Sequence, residues 1–167
     1  TVAVNLTFGQ PNRDEFLIGR LPSNKYFLDF LDQAQLTKPL IDLGWELAHQ
    51  VIDILGIVTP DEIFFQQSPI NATDFEDYRE LVARVDEAGL HQVSDADRLA
   101  LLRLALDFIP GVHRIVVLPD LLEQLILDGR IVFKSMVQRD DPGAYSFYQM
   151  SDYIHSFTIL DNILFGK

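Results

Sequence analysis

The sequence predicts an all-α fold, a single helical domain of about six helices. Three observations carry that prediction. Apolar residues recur at helical spacing along almost the whole chain. Capping residues open the periodic runs, and Gly or Pro closes several of them. Only residues 111–118, with Val112, Ile115, Val116 and Val117, have β-like content, and that stretch is brief. No shift in composition divides the chain in two.

Pro11 breaks the chain after an opening segment, and residues 16–22 form a connector. Ser23 or Asn24 caps a helix whose face is Phe27, Leu28, Leu31 and Ala34. Thr37 caps a longer helix, and Pro39 suits its first turn because the N–H there lacks a helical partner anyway. Its stripe is Leu40, Leu43, Leu47, Val51, Ile54 and Leu55; Gly44 beside Trp45 marks close packing. Thr59-Pro60-Asp61-Glu62 opens a short turn carrying Phe64 and Phe65.

Asn71 or Thr73 caps the next helix. Asp74, Glu76 and Asp77 lie in its first turn, where the helix dipole favours anions. Its face is Phe75, Tyr78, Leu81, Val82 and Val85, and Gly89 stops it. Ser94-Asp95-Ala96-Asp97 starts a helix with Leu99, Leu102, Ala105, Leu106 and Ile109 inward, ended by Pro110-Gly111. Pro119 begins a helix running to about Val137, apolar at Leu122, Leu125, Ile126, Ile131 and Phe133, with Gly129 as a kink. Arg139-Asp140-Asp141-Pro142-Gly143 is the clearest turn. Residues 145–153 read as irregular and aromatic, and residues 158–167 as a last helix.

At 167 residues, 48% apolar and 23% charged, the chain has enough apolar material for one real core. A formal net charge of −12 repels phosphate backbones and anionic headgroups, which disfavours nucleic acid as a partner. There is no cysteine, hence no disulfide framework and no thiolate nucleophile or ligand. Pro119, Asp120, Glu123 and Gln124 interrupt the longest apolar stretches below the length of a membrane span, so direct membrane insertion is not expected.

The chain also repeats itself. Residues 1–9 read T-V-A-V-N-L-T-F-G and residues 158–166 read T-I-L-D-N-I-L-F-G. Thr1, Asn5, Phe8 and Gly9 recur as Thr158, Asn162, Phe165 and Gly166, and apolar residues match between them. Two copies at the two ends describe a duplicated seam around a domain, not a stacked array.

The seam resembles the T-I-x-x-N-I-x-F-G stretch that follows the Q-loop in ABC transporter ATPases. Phe64-Phe65-Gln66-Gln67, Tyr78 to Arg84, Asp97-Arg98, His113-Arg114 and the Tyr-rich run from Tyr145 to Tyr153 resemble a helical insertion in a group of large bacterial ABC transporters. The resemblance implies a first seam at 1–9, an inserted helical domain at 10–157 and a second seam at 158–167, with the ends close together. It implies a place on the cytoplasmic side of the inner membrane. The partners would be the rest of the ATPase domain and its membrane domain, with a further docked protein as an option. ATP and Mg would belong to the parent ATPase, with no cofactor in this segment.

The segment itself lacks the engine. A P-loop needs G-x-x-x-x-G-K-[ST], because glycines let backbone N–H groups reach phosphate oxygens. Gly166-Lys167 has Asp161 where the first Gly belongs. No S-G-G-Q run and no Walker B strand occur either, so no catalysis is expected here. Gln149 stands ahead of Thr158 at roughly the spacing of the Q-loop glutamine, which in the family couples the γ-phosphate side to the membrane domain.

The remaining constellations point to structure. His49, His91, His113 and His155 show no metal-ligand spacing, and His113 reads as a turn cap. Asp61 with Glu62, Asp95 with Asp97, and Asp140 with Asp141 sit at helix starts or turns. Ser94, Ser135 and Ser151 lack a nucleophile elbow. Tyr145, Phe147, Tyr148, Tyr153, Phe157 and Phe165 form either a contact surface or a cover for the open end of the core.

Overall fold

A computed structural model describes residues 1–56, 65 and 67–148. Helices dominate it, as the periodicity requires, with one small sheet added. Helix α1 spans Val2–Thr7; the Thr1 hydroxyl caps it, accepting from the Val4 N–H at 3.3 Å. Six residues are too few to hold a helix alone. Burial of Val2, Ala3 and Leu6 against the rest of the fold supplies the stability.

Phe8 ends α1 in the left-handed region, at φ 38°. Strand β1, Gly9–Pro11, follows and pairs antiparallel with a distant strand, Tyr145–Phe147, in the register Gly9↔Phe147, Gln10↔Ser146, Pro11↔Tyr145. Pro11, expected as a breaker, is thus a strand residue. A two-stranded ribbon has free outer edges, so a residue without an N–H is tolerated. Two 3-10 turns, Asp14–Phe16 and Ile18–Ser23, then tuck Phe16 and Leu21 into the core.

Helix α2, Lys25–Gln33, starts at Asn24, whose Oδ1 accepts from the Phe27 N–H at 3.0 Å. Helix α3, Thr37–Leu55, is not capped by Thr37: that residue lies inside the helix and its hydroxyl bonds to Asp32. Helix α4, Phe75–Ala88, is preceded by Asn71, whose Oδ1 accepts from the Asp74 N–H at 2.9 Å. Gly89 ends α4 at φ 82°, a conformation that suits only glycine well. Helix α5, Asp95–Asp107, is capped by Ser94. The single turn α6, Pro110–His113, occupies part of the stretch expected to be β-like, and no strand forms over 111–118. Helix α7, Asp120–Asp140, continues past Val137 to the predicted turn.

Helix α3 lies along α5, with α4 on its flank, and α1 sits against α7 and α5. Gly44 permits the first contact: a Cβ there would overlap the Leu101 carbonyl of α5. Gly129 does the same for α1 and the segment joining α2 to α3. A Cβ at that position would lie 2.6 Å from Leu36 Cδ1 and 3.3 Å from Leu6 Cδ2, so the glycine serves close packing.

Phe27, Phe30 and Phe133 are fully buried; Phe133 meets the other two edge to face and Phe27 lies tilted against Phe30, with centroids 5.0–5.9 Å apart. Each such side chain contributes about 2 kcal/mol by leaving water. Ile54, Ile109 and Ile131, expected inward, are exposed at 51%, 36% and 66%. Ile41, Ala48, Leu101 and Leu104 are buried in α3 and α5, widening the apolar faces beyond the expected stripes.

Candidate functional site

The repeated phrase directs attention to α1 and its surroundings, which form a cradle. Three elements build it: α7 beneath, β2 (Tyr145–Phe147) with Tyr148 at the far end, and the C-terminus of α5 at the near end. The Val2 N–H donates to the Phe108 carbonyl at 3.0 Å just beyond α5. Asn5 Nδ2 donates to the Thr1 carbonyl at 3.3 Å.

Arg130 of α7 grips the middle. Its Nε donates to the Asn5 carbonyl at 2.9 Å and its Nη2 to Asn5 Oδ1 at 3.2 Å. The same guanidinium lies 4.1 Å from the centroid of the Phe8 ring. Burial pulls its pKa down, yet a guanidinium stays charged at any working pH. Phe8 in turn meets Tyr148 edge to face at 5.6 Å, and the Tyr148 N–H donates to the Phe8 carbonyl at 3.1 Å. Gly9 faces β2 so closely that a Cβ would lie 2.8 Å from the Ser146 carbonyl oxygen.

Thr1, Asn5, Phe8 and Gly9 therefore come together in one clamp. Residues 1–9 add Val2, Ala3 and Leu6 to the same core as the rest of the chain. Tyr145 is buried, donates to the Phe16 carbonyl at 3.0 Å and packs on Phe16 and Phe133. Tyr145 and Tyr148 thus cover the core end and brace the cradle. Gln149, Tyr153, Phe157, Thr158, Asn162, Phe165 and Gly166 lie outside the described residues, as do His155, Ser151 and the stretch around Thr59.

Arg130 itself escaped the sequence reading. The available signal was a cation beside Gly129 on the same helix as Leu122, Ile126 and Phe133.

A second polar cluster joins α4 to α5. Arg84 Nη2 meets Asp97 Oδ1 at 2.7 Å, and the Ser94 hydroxyl donates to Asp97 Oδ2 at 2.9 Å. The Arg84 hydrogen bond holds the Asp97 carboxyl below the usual range, against the opposing effect of burial. Nearby, the Tyr78 hydroxyl donates to the Ala100 carbonyl at 3.0 Å, and burial pushes its pKa up to about 12.

The other candidates fall into structural roles. His113 Nδ1 accepts from the Ile109 N–H at 3.2 Å, the turn cap expected of it; burial lowers its pKa. His49 does stand one turn from a carboxylate: its Nδ1 is 3.1 Å from Asp53 Oδ2. Asp140 accepts from Arg139 and Tyr26, and Asp141 pairs with Arg13 at 2.6 Å. The Ser135 hydroxyl donates to the Ile131 carbonyl. Among the described residues, no group of three or more His, Asp or Glu side chains is placed to hold a metal ion. No described helix is long and apolar enough to cross a membrane.

No protein-family model, curated protein or solved structure matches this chain. Its functional reading rests on the cradle and the repeat.

Proposed function

We propose that this chain is an accessory, regulatory domain set into the nucleotide-binding domain of an ABC transporter, between two copies of the segment that follows the Q-loop. The observation that carries the reading is the doubled seam, T-x-x-x-N-x-x-F-G at 1–9 and again at 158–166. The fold supports it. An inserted domain must return its chain to the point of departure. Here Phe8 and Gly9, at the end of the first seam, pair with Tyr148 and Phe147, ten residues before the second seam opens at Thr158.

In this reading the domain is not itself catalytic. ATP and Mg bind the surrounding ATPase, and the domain modulates coupling to the membrane domain or docks a further protein on the cytoplasmic side. Excising residues 10–157 from the parent would join the seams into one continuous ATPase segment. The expected result is retained nucleotide binding and hydrolysis with altered regulation or coupling. Loss of nucleotide binding would overturn the reading, because it would make the domain part of the catalytic fold.

One observation favours a second reading, a free-standing acidic interaction module. Val117, Leu121, Leu127 and Ile131 are exposed at 88%, 74%, 47% and 66% on and just before α7, in a chain of net charge −12. Such a module would bind its partner with the 167-residue chain alone, and charge substitutions on α7 would abolish that binding.

A further inference from the structure

The four residue types that the second seam keeps are the four that hold the first seam in its cradle. Thr1 caps α1, Asn5 takes both Arg130 hydrogen bonds, Phe8 lies under the guanidinium and against Tyr148, and Gly9 permits the close approach to Ser146. Buried Val2 and Leu6 recur as Ile159 and Ile163. A repeat preserved only for helix formation has no need of an Asn at the Arg130 contact or a Gly at the strand contact. We infer that the cradle formed by α7, Phe108 and Tyr148 is a binding site for a second occupant, residues 158–166 of the same chain, which compete with residues 1–9. The inference rests on the repeat and the cradle, and it stands apart from the transporter reading.

The chain can reach. Nine residues, 149–157, separate Tyr148 from Thr158. Extended chain covers roughly 3.3 Å per residue, so about 30 Å is available. Tyr148 is bonded to Phe8 at one end of α1, and a six-residue helix is only about 9 Å long.

Two positions make the occupants unequal. Ala3 is fully buried and its counterpart is the larger Leu160; the Thr7 hydroxyl bonds to the Ala3 carbonyl at 3.1 Å and its counterpart is Leu164. Adding volume to a filled site costs stability. The first seam therefore holds the cradle at rest, and the second enters when the first is weakened or withdrawn.

The absence of native cysteine allows a direct test by disulfide trapping in the full chain. Gln10 and Ser146 are strand partners, and Lys167 is the counterpart of Gln10. The Q10C/S146C pair reports the first occupant and the S146C/K167C pair the second. The expected result is a dominant Q10C/S146C cross-link and a minor monomeric S146C/K167C cross-link. The minor product should rise several-fold with Asn5→Ala, or with Leu160→Ala, which leaves the cradle untouched. Asn162→Ala should return it to background. A yield indifferent to Leu160→Ala and Asn162→Ala would overturn the inference. A cross-link formed only between molecules would also overturn it, by moving the second occupant to a neighbouring copy.

Discussion

Arg130 and Asn5 stand 125 residues apart in the chain, yet the guanidinium of one donates to both the backbone and the side-chain oxygen of the other. That pairing ties the opening segment to the long helix α7. It converts a six-residue helix, unstable alone, into a fixed part of the core. Because Phe8 lies against the same guanidinium, one side chain holds both the helix and the left-handed residue that ends it.

Arg130→Ala is therefore expected to destabilise the domain by about 2–3 kcal/mol, from two charge-assisted hydrogen bonds and a cation–π contact. Arg130→Lys should recover part of this, since an ammonium cannot reproduce the fork. Urea unfolding of the three proteins measures it. A loss below about 0.5 kcal/mol for Arg130→Ala would mean that the clamp is incidental.

Gly44→Ala separates two opposing effects. Alanine favours an isolated helix by about 1 kcal/mol over glycine. Here the added Cβ runs into the Leu101 carbonyl, a backbone atom that cannot swing away. Steric cost should win, with a net loss of about 2 kcal/mol, or roughly 4–8 °C in Tm for a chain of this size. Calorimetry would show a rise in Tm instead if α3 and α5 were less closely apposed.

Alkaline pH should unfold the domain through its tyrosines. Burial pushes Tyr78 and Tyr145 up to about 12, and burial together with the Asp140 hydrogen bond does the same for Tyr26. A raised pKa means that the fold favours the neutral phenol. That contribution is complete below the ordinary value near 10 and is lost as pH rises towards 12. Absorbance titration of these phenols should coincide with loss of helical circular dichroism. Ionisation near pH 10 with the helices intact would contradict the burial of Tyr78 and Tyr145.

Acid acts through Asp97, whose carboxyl is held low by Arg84 and Ser94. Its contribution is present above the ordinary carboxyl value and fades as pH falls through the lowered one. Asp97→Asn should cost stability at pH 7, and the difference from the parent protein should vanish at the acid limit. Guanidinium unfolding at several pH values reads this. A difference that stays constant with pH would remove the Arg84–Asp97 charge from the account.

The helices were legible because their signals are local. Asn24 and Ser94 lie within three residues of the N–H groups they cap, and Gly89 stops α4 from the adjacent position. The two-stranded ribbon was not legible. Three residues at Gly9–Pro11 find three at Tyr145–Phe147, and neither triplet alternates long enough to announce a strand. Pro11 even argues against one. Gly44 was recognisable as a packing position, but its partner Leu101 lies on another helix. Of the cradle, the sequence exposed the repeated Thr, Asn, Phe and Gly; the cation that reads them is visible only once α1 and α7 are side by side.

The central proposal, that the domain is set into an ABC ATPase, is tested most directly by the coding sequence on both sides of these 167 residues. The account predicts a G-x-x-x-x-G-K-[ST] run ahead of Thr1 and an S-G-G-Q run beyond Lys167. Initiation and termination signals close to the two ends would contradict it and leave an independent acidic helical protein.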